Sequence, residues 1–193
     1  MALAYTNIDV ELREISLRDR PKELYDVSSK ATVPVLITSD GLVIDESLDI
    51  MLWSLKNDLN QTWLSQDHQA ELDMISKNDI VFKKWLDRYK YHDRYPENSK
   101  EFYRDKCHDI LFDYNNQLNK KKYLSSNHLS IVDVAIFPFV RQFSHIDYQW
   151  FENNYKQLVV WLSDMQTSNL FLSIMNKYDV WHNKDNPVIL DYN

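Results

Sequence analysis

Residues 32–47 read Thr32-Val-Pro-Val-Leu-Ile-Thr-Ser-Asp-Gly-Leu-Val-Ile-Asp-Glu-Ser47 and predict a β-hairpin followed by a helix. Two apolar runs rich in β-branched residues, at 33–37 and 42–44, are typical of paired strands. Ser-Asp-Gly at 39–41 is a turn signal and holds the only glycine of the chain. Residues 45–47 are acidic or hydroxyl-bearing, which suits the start of a helix.

Two features of this segment predict a ligand site. Pro34 cannot donate to a β-ladder, and a cis bond before it would turn the backbone N–H and C=O of Val33 outward to meet an extended peptide. A helix that starts at Glu46 and Ser47 offers free backbone N–H groups and a positive dipole end, which attract a carboxylate. Together these features suit a small acidic peptide.

Composition favours a folded protein built mainly of helices. The 193 residues are 44% hydrophobic and 13% aromatic, which is enough to fill a core and argues against disorder. One glycine and five prolines are few for an all-β protein with many turns.

Charge and cysteine content narrow the expected partners and location. The formal net charge of -7 argues against nucleic acid and anionic membranes as partners. No apolar run approaches the roughly 20 residues of a membrane span, and no signal peptide is evident. Cys107 is the only cysteine, which fits a reducing compartment, and we expect a cytoplasmic location.

The chain divides into an α/β region at residues 1–60 and an all-helical region at residues 61–193. In the first region, alternation predicts a strand at 8–15, Pro21 suits the start of a short helix at 22–27, and an amphipathic helix is expected at 47–59. Helical patterns in the second region cover residues 66–93, 100–119, 156–166 and 170–178. The best candidate boundary is at 57–61.

Ser130-Ile131-Val132-Asp133 has the arrangement of a capping box, with Asp in place of Glu or Gln. The helix behind it is apolar almost all round, which is typical of the centre of a helical bundle. Pro138 lies within this helix and predicts a kink or a local break.

The Val33-Pro34-Val35-Leu36 segment, followed by Glu46-Ser47, resembles the glutathione-binding block of the cytosolic glutathione S-transferase family. Ser130-Ile131-Val132-Asp133 resembles the capping motif of the central helix of that family. Residues 16–21, Ser-Leu-Arg-Asp-Arg-Pro, are similar to omega-like and related bacterial members. The resemblance covers nearly the whole chain and implies a thioredoxin-like domain at 1–60 followed by a glutathione-transferase-type helical bundle at 61–193.

The resemblance also implies roles for particular residues. The backbone of Val33, before Pro34, would pair with the cysteinyl part of glutathione. Glu46 and Ser47 would hold its γ-glutamyl ammonium and carboxylate. Arg20 lies where omega-like members place a lysine near the glycyl end; arginine keeps the charge but changes the donor geometry.

The chain departs from the family pattern at its beginning. Family members start with a strand, a loop that carries a catalytic Cys, Ser or Tyr, and a helix, whereas residues 1–7 resemble only the last turns of that helix. The thioredoxin-like domain is therefore expected to lack its first strand, an inner one. We expect Met1 to be an internal methionine of a longer natural protein. The catalytic residue is unknown. We therefore expect this chain to have weak or absent transferase activity.

Several side chains have two interpretations. The aromatic cluster of Trp85, Tyr89, Tyr91, His92 and Tyr95 either packs along a bundle helix or forms the wall of a hydrophobic electrophile pocket; Trp85, Tyr89 and His92 are the pocket candidates.

Other reactive or polar side chains are expected to be structural. Cys107 lies among apolar residues and fits a buried structural cysteine. Arg141 and Gln142 fit a structural role better than ligand contact. The six histidines lack metal-ligand spacing, so no metal is expected.

By resemblance, the chain is expected to be a bacterial-type glutathione S-transferase-like protein. It would bind glutathione as a co-substrate, without another cofactor, and a full-length form would promote attack of the thiolate on a small hydrophobic electrophile or a disulfide. A homodimer is also implied. The alternative is a non-catalytic binding or regulatory protein with the same fold.

Overall fold

The structure is a computed structural model that describes residues 1–56, 62–65 and 68–192. The chain forms two compact units: Met1–Leu59 together with Asn169–Asn193, and Asn60–Ser168. The boundary predicted at 57–61 lies outside the described residues. The grouping of the last residues with the N-terminal unit was not expected from the sequence.

The first unit is α/β and contains two small antiparallel sheets, one with strand order β1-β4 and one with β2-β3. Its elements are α1 (Ala2–Tyr5), β1 (Val10–Leu12), α2 (Lys22–Val27), β2 (Leu36–Ile37), β3 (Val43–Ile44), α3 (Ser47–Leu55), α10 (Asn169–Ser173) and β4 (Val188–Leu190).

The hairpin predicted at the start of the sequence is confirmed, with shorter strands. Leu36 pairs with Ile44, and Ile37 pairs with Val43. The turn is closed by the Thr38 N–H, which donates to the Leu42 carbonyl at 2.9 Å. Gly41 has φ +86°, a left-handed conformation that a residue without Cβ adopts at no steric cost.

The strand predicted at 8–15 is present as β1, and its partner is the unpredicted strand β4. Glu11 is paired with Ile189 in the antiparallel register. Beyond the strands, the Trp181 N–H donates to the Glu14 carbonyl at 2.8 Å, and the Arg13 guanidinium lies 4.9 Å from the Trp181 ring centroid. The C-terminal segment therefore contacts both β1 and the two residues that follow it.

The second unit is helical. Its α-helices are α4 (Gln69–Lys77), α5 (Lys83–Lys90), α6 (Lys100–Leu118), α7 (Ile131–Ile146), α8 (Tyr148–Asn154) and α9 (Lys156–Thr167). A π-helical segment at Asn78–Phe82 separates α4 from α5, so the helix predicted over 66–93 is divided. Helix α8 was not predicted, and α10, in the first unit, is shorter than the helix predicted at 170–178.

Helix α7 lies at the centre of this unit and packs against α4, α5, α8 and α9. Most of its apolar side chains are buried, including Ile131, Ile136 and Val140 at 0% exposure. The helix is continuous through Pro138, so of the predicted kink or local break the break is absent, and this proline lies on the exposed side. The prediction of a central apolar helix is confirmed.

The capping box before α7 is present and lies in the core. The Asp133 carboxylate accepts four hydrogen bonds, from the backbone N–H groups of Leu124 and Ser130, the Ser130 hydroxyl and the Trp161 indole, at 2.7–3.1 Å. Burial raises the pKa of Asp133, although these four donors act in the opposite direction. Asp133 therefore joins the α7 start to the preceding loop and to α9.

No helix among the described residues is both long enough and apolar enough to cross a membrane.

Candidate functional site

The segment before β2 exposes a free stretch of backbone. The Val33–Pro34 peptide bond is cis, and the Val33 side chain is 46% exposed. Within the described part of the chain, the Val33 N–H and C=O have no hydrogen-bond partner. Since exposed and unpaired main-chain groups next to a strand are the usual template for strand addition, Val33 can pair with an extended peptide.

The start of α3 supplies the second half of the site. Glu46 is the N-cap residue in an extended conformation, and Ser47 is the first helical residue. Among the residues that the structure describes, no side chain caps this end, so the first N–H groups of the helix are available to an anion. Both Glu46 and Ser47 are exposed.

The hairpin places these two halves at the same end. Val33 and Pro34 precede β2, whereas Glu46 and Ser47 follow β3, and the antiparallel pairing of Leu36 with Ile44 keeps the two strand ends adjacent. The arrangement combines exposed peptide groups, a helix N-terminus and a carboxylate, which suits a peptide with both an anionic and a cationic group.

Sequence reasoning missed a charged network beside this end of the hairpin. The Lys30 ammonium donates to Glu46 Oε1 at 2.6 Å and to Asp45 Oδ1 at 3.1 Å. The Ser28 hydroxyl donates to the other Asp45 oxygen at 2.8 Å. The sequence signal for this network is a lysine on one side of the predicted hairpin and two acidic residues on the other.

The network shifts the pKa values of its members in opposite directions. Hydrogen bonds to Glu46 and Asp45 raise the pKa of Lys30. Hydrogen bonds from Ser28 and Lys30 lower the pKa of Asp45. At neutral pH Lys30 is therefore an ammonium and Asp45 a carboxylate.

Arg20 is exposed and forms no hydrogen bond or ion pair within residues 1–56, 62–65 and 68–192. Its role toward a ligand stays a prediction.

The candidate electrophile-pocket residues lie in the other compact unit. Tyr89 is only 2% exposed and packs on Phe143, with ring centroids 5.2 Å apart. Burial, followed by the charge of Asp147, raises the pKa of Tyr89 to about 12, so its phenol is neutral. Tyr89 is thus a core residue.

Trp85 and His92 are partly exposed and retain accessible surface. Trp85 stacks on Tyr103 at 6.4 Å between ring centroids. Nε2 of His92 lies 3.2 Å from the Asp93 carboxylate. A pocket role for Trp85 and His92 stays a prediction.

The expectation of a buried cysteine is confirmed, whereas the structural roles expected for Arg141 and Gln142 stay predictions. Cys107 is completely buried, as predicted, and burial raises its pKa to about 12. Gln142 accepts a hydrogen bond from Lys90 at 3.3 Å, and the Arg141 carbonyl accepts one from the Ser144 hydroxyl at 2.9 Å. Among the residues that are described, no group of three or more His, Cys, Asp or Glu side chains could hold a metal ion.

Comparison with solved structures shows the same fold in proteins of low sequence identity. The glutathione S-transferase from Methylobacillus flagellatus KT, solved with GSH bound, is 22% identical with a TM-score of 0.73 over 89% of each chain. The class Gtt2 enzyme of Vibrio parahaemolyticus is 17% identical with a TM-score of 0.69, over 88% of this chain and 87% of that one. Glutathione transferase F7 from Populus trichocarpa is 16% identical with a TM-score of 0.73, over 89% and 88%.

These similarities confirm the predicted fold class, a thioredoxin-like domain joined to a helical domain. No curated protein matches the sequence. Two family models do: the glutathione S-transferase N-terminal domain matches residues 1–55, and the glutathione S-transferase C-terminal domain matches residues 78–169. The chain therefore belongs to the glutathione S-transferase family.

Proposed function

We propose that the chain binds glutathione at the end of the hairpin formed by Val33–Pro34 and Glu46–Ser47. The observation that carries this proposal is the unpaired backbone of Val33 at the same hairpin end as the uncapped N-terminus of α3. Family membership supports it, as does the fold shared with a transferase whose structure has GSH bound.

Each part of glutathione has a complementary group in this proposal. The cysteinyl peptide pairs with the Val33 backbone, and the γ-glutamyl carboxylate binds the first N–H groups of α3 and the Ser47 hydroxyl. The γ-glutamyl ammonium binds the Glu46 carboxylate, because opposite charges at an exposed site attract and share hydrogen bonds. Arg20 is the candidate for the glycyl carboxylate.

The proposed chemistry is attack of the glutathione thiolate on a small hydrophobic electrophile or a disulfide. The thiolate is the reactive form, so this chemistry requires a group that stabilises negative charge on sulfur. No such residue is identified in the given sequence. We therefore expect this chain to bind glutathione with little or no conjugation. We also propose that it acts in the cytoplasm and forms a homodimer.

Calorimetric titration with glutathione tests the binding proposal. Glu46→Gln and Ser47→Ala are each expected to raise Kd by about tenfold or more, since hydrogen bonds to charged groups contribute about 1.5–3 kcal/mol. Ser39→Ala is the matched control, because Ser39 is exposed in the turn at the opposite end of the hairpin. Its Kd is expected to equal that of the wild type.

Two outcomes contradict the proposal: no binding by the wild type at millimolar glutathione, or unchanged affinity in both the Glu46→Gln and Ser47→Ala variants. A parallel assay with an aromatic electrophile separates binding from catalysis. Normal turnover there contradicts the expectation of weak conjugation but leaves the binding site in place.

A further inference from the structure

Lys30 is held beside the candidate glutathione site by a network that reaches into the core. Its ammonium contacts two carboxylates, Glu46 Oε1 at 2.6 Å and Asp45 Oδ1 at 3.1 Å. Asp45 is fixed from its other side by the Ser28 hydroxyl at 2.8 Å. Ser28 is only 4% exposed, so the network has one buried anchor.

The distances leave one oxygen of Glu46 free for a ligand. Lys30 contacts Oε1, and no hydrogen bond to Oε2 is found in the part of the chain that the structure describes. The Lys30 side chain is 49% exposed and that of Glu46 is 60% exposed, so a ligand can approach the second oxygen. An unrestrained glutamate at this exposure would occupy several rotamers, and ordering it on binding has an entropic cost.

We propose that Lys30 is a positioning residue for ammonium recognition: it holds Glu46 by Oε1 so that Oε2 meets the ammonium group of the ligand. This inference rests on the proposed glutathione site. Lys30 touches Glu46 and Asp45, and it acts on the ligand through Glu46.

The alternative relation between Lys30 and the ligand is competition for the same carboxylate. Competition predicts tighter binding when Lys30 is removed, whereas positioning predicts weaker binding. Because a carboxylate accepts hydrogen bonds at two oxygens and Lys30 occupies one, the geometry favours positioning.

The test uses two ligands that differ only in the ammonium group: glutathione and its des-amino analogue, glutaryl-cysteinylglycine. Lys30→Met is expected to raise the Kd for glutathione by about threefold to fivefold, a size typical of exposed ion pairs. It is expected to leave the Kd for the des-amino analogue unchanged. Lys30→Arg keeps the charge and is expected to restore most of the affinity for glutathione.

Two controls isolate the pathway through Glu46. Lys22→Met removes the same charge from the same unit, where Lys22 pairs with Asp26 at 2.7 Å, and is expected to have no effect on either ligand. In a Glu46→Gln background, Lys30→Met is expected to cause no further loss, because the two residues act as one unit.

The proposal is overturned if Lys30→Met binds glutathione as well as or better than the wild type. It is also overturned if this variant loses affinity equally for both ligands, since a purely structural role would do that. If the wild type itself does not bind glutathione, both the proposed glutathione site and the positioning role of Lys30 are refuted. Binding by the wild type with no change in Lys30→Met overturns only the positioning role.

Discussion

Cys107 shows at the scale of one residue how burial decides reactivity. Its side chain is completely buried in α6, and burial raises its pKa to about 12. Since the thiolate is the nucleophile, almost none of the reactive form exists near neutral pH. We predict that native protein does not react with the thiol reagent DTNB at pH 8 over the course of an assay, monitored by absorbance.

The matched measurement for Cys107 is the same reaction in denaturing urea. One thiol per chain is expected to react there, because unfolding exposes the single cysteine. Rapid reaction of the native protein would show that Cys107 is accessible and would contradict its structural role.

At the scale of elements, Asp133 connects α7 to its surroundings. Its carboxylate accepts hydrogen bonds from Ser130, Leu124 and Trp161, and the side chain is completely buried. Asp133→Ala leaves buried donors unpaired at about 1–3 kcal/mol each. We predict a loss of about 3 kcal/mol or more in the free energy of unfolding, measured by urea denaturation.

Two further variants calibrate the Asp133 result. Ser130→Ala removes the N-cap hydroxyl and is expected to lower the free energy of unfolding by about 1 kcal/mol. Asp164→Ala removes an exposed carboxylate from α9 and is expected to change it by less than about 0.5 kcal/mol. Equal losses for Asp133→Ala and Asp164→Ala would refute the central role of Asp133.

At the scale of the whole molecule, a strand near the end of the chain, β4, pairs with the first strand, β1. Ending the chain at Asn186 removes β4 and leaves the backbone groups of β1 without that partner. We predict faster amide hydrogen exchange at residues 10–12, measured by mass spectrometry. Helices α6 and α7, in the other compact unit, are expected to keep their protection.

Ile189→Thr is the control for the shortened chain. The Ile189 side chain is 56% exposed, so this change keeps the strand backbone and loses little packing. Its exchange at residues 10–12 is expected to resemble that of the wild type. Unchanged exchange in the shortened chain would show that β4 does not protect β1.

The parts of the candidate site that depend on neighbouring residues could be predicted from the sequence. The contacts between residues far apart in the chain could not. Pro34 and the acidic and hydroxyl residues 45–47 at the start of α3 can be recognised from their chemistry within a few positions of the sequence. Lys30 lies 16 residues from Glu46, and their contact depends on the hairpin bringing both flanks together. The burial of Tyr89 likewise depends on Phe143, which comes from a different helix.

The sequence by itself determined the hairpin turn at Gly41, the capped start of α7 and most helix positions, because turn chemistry, capping and periodicity act between near neighbours. Only the tertiary structure decided the β1–β4 pairing and the contact of Lys30 with Glu46. It also decided the cap of α9, where the Asn115 side chain accepts hydrogen bonds from the N–H groups of Gln157 and Leu158. These contacts join residues far apart in the chain, so they form only where the folded backbone brings compatible donors, acceptors and charges together.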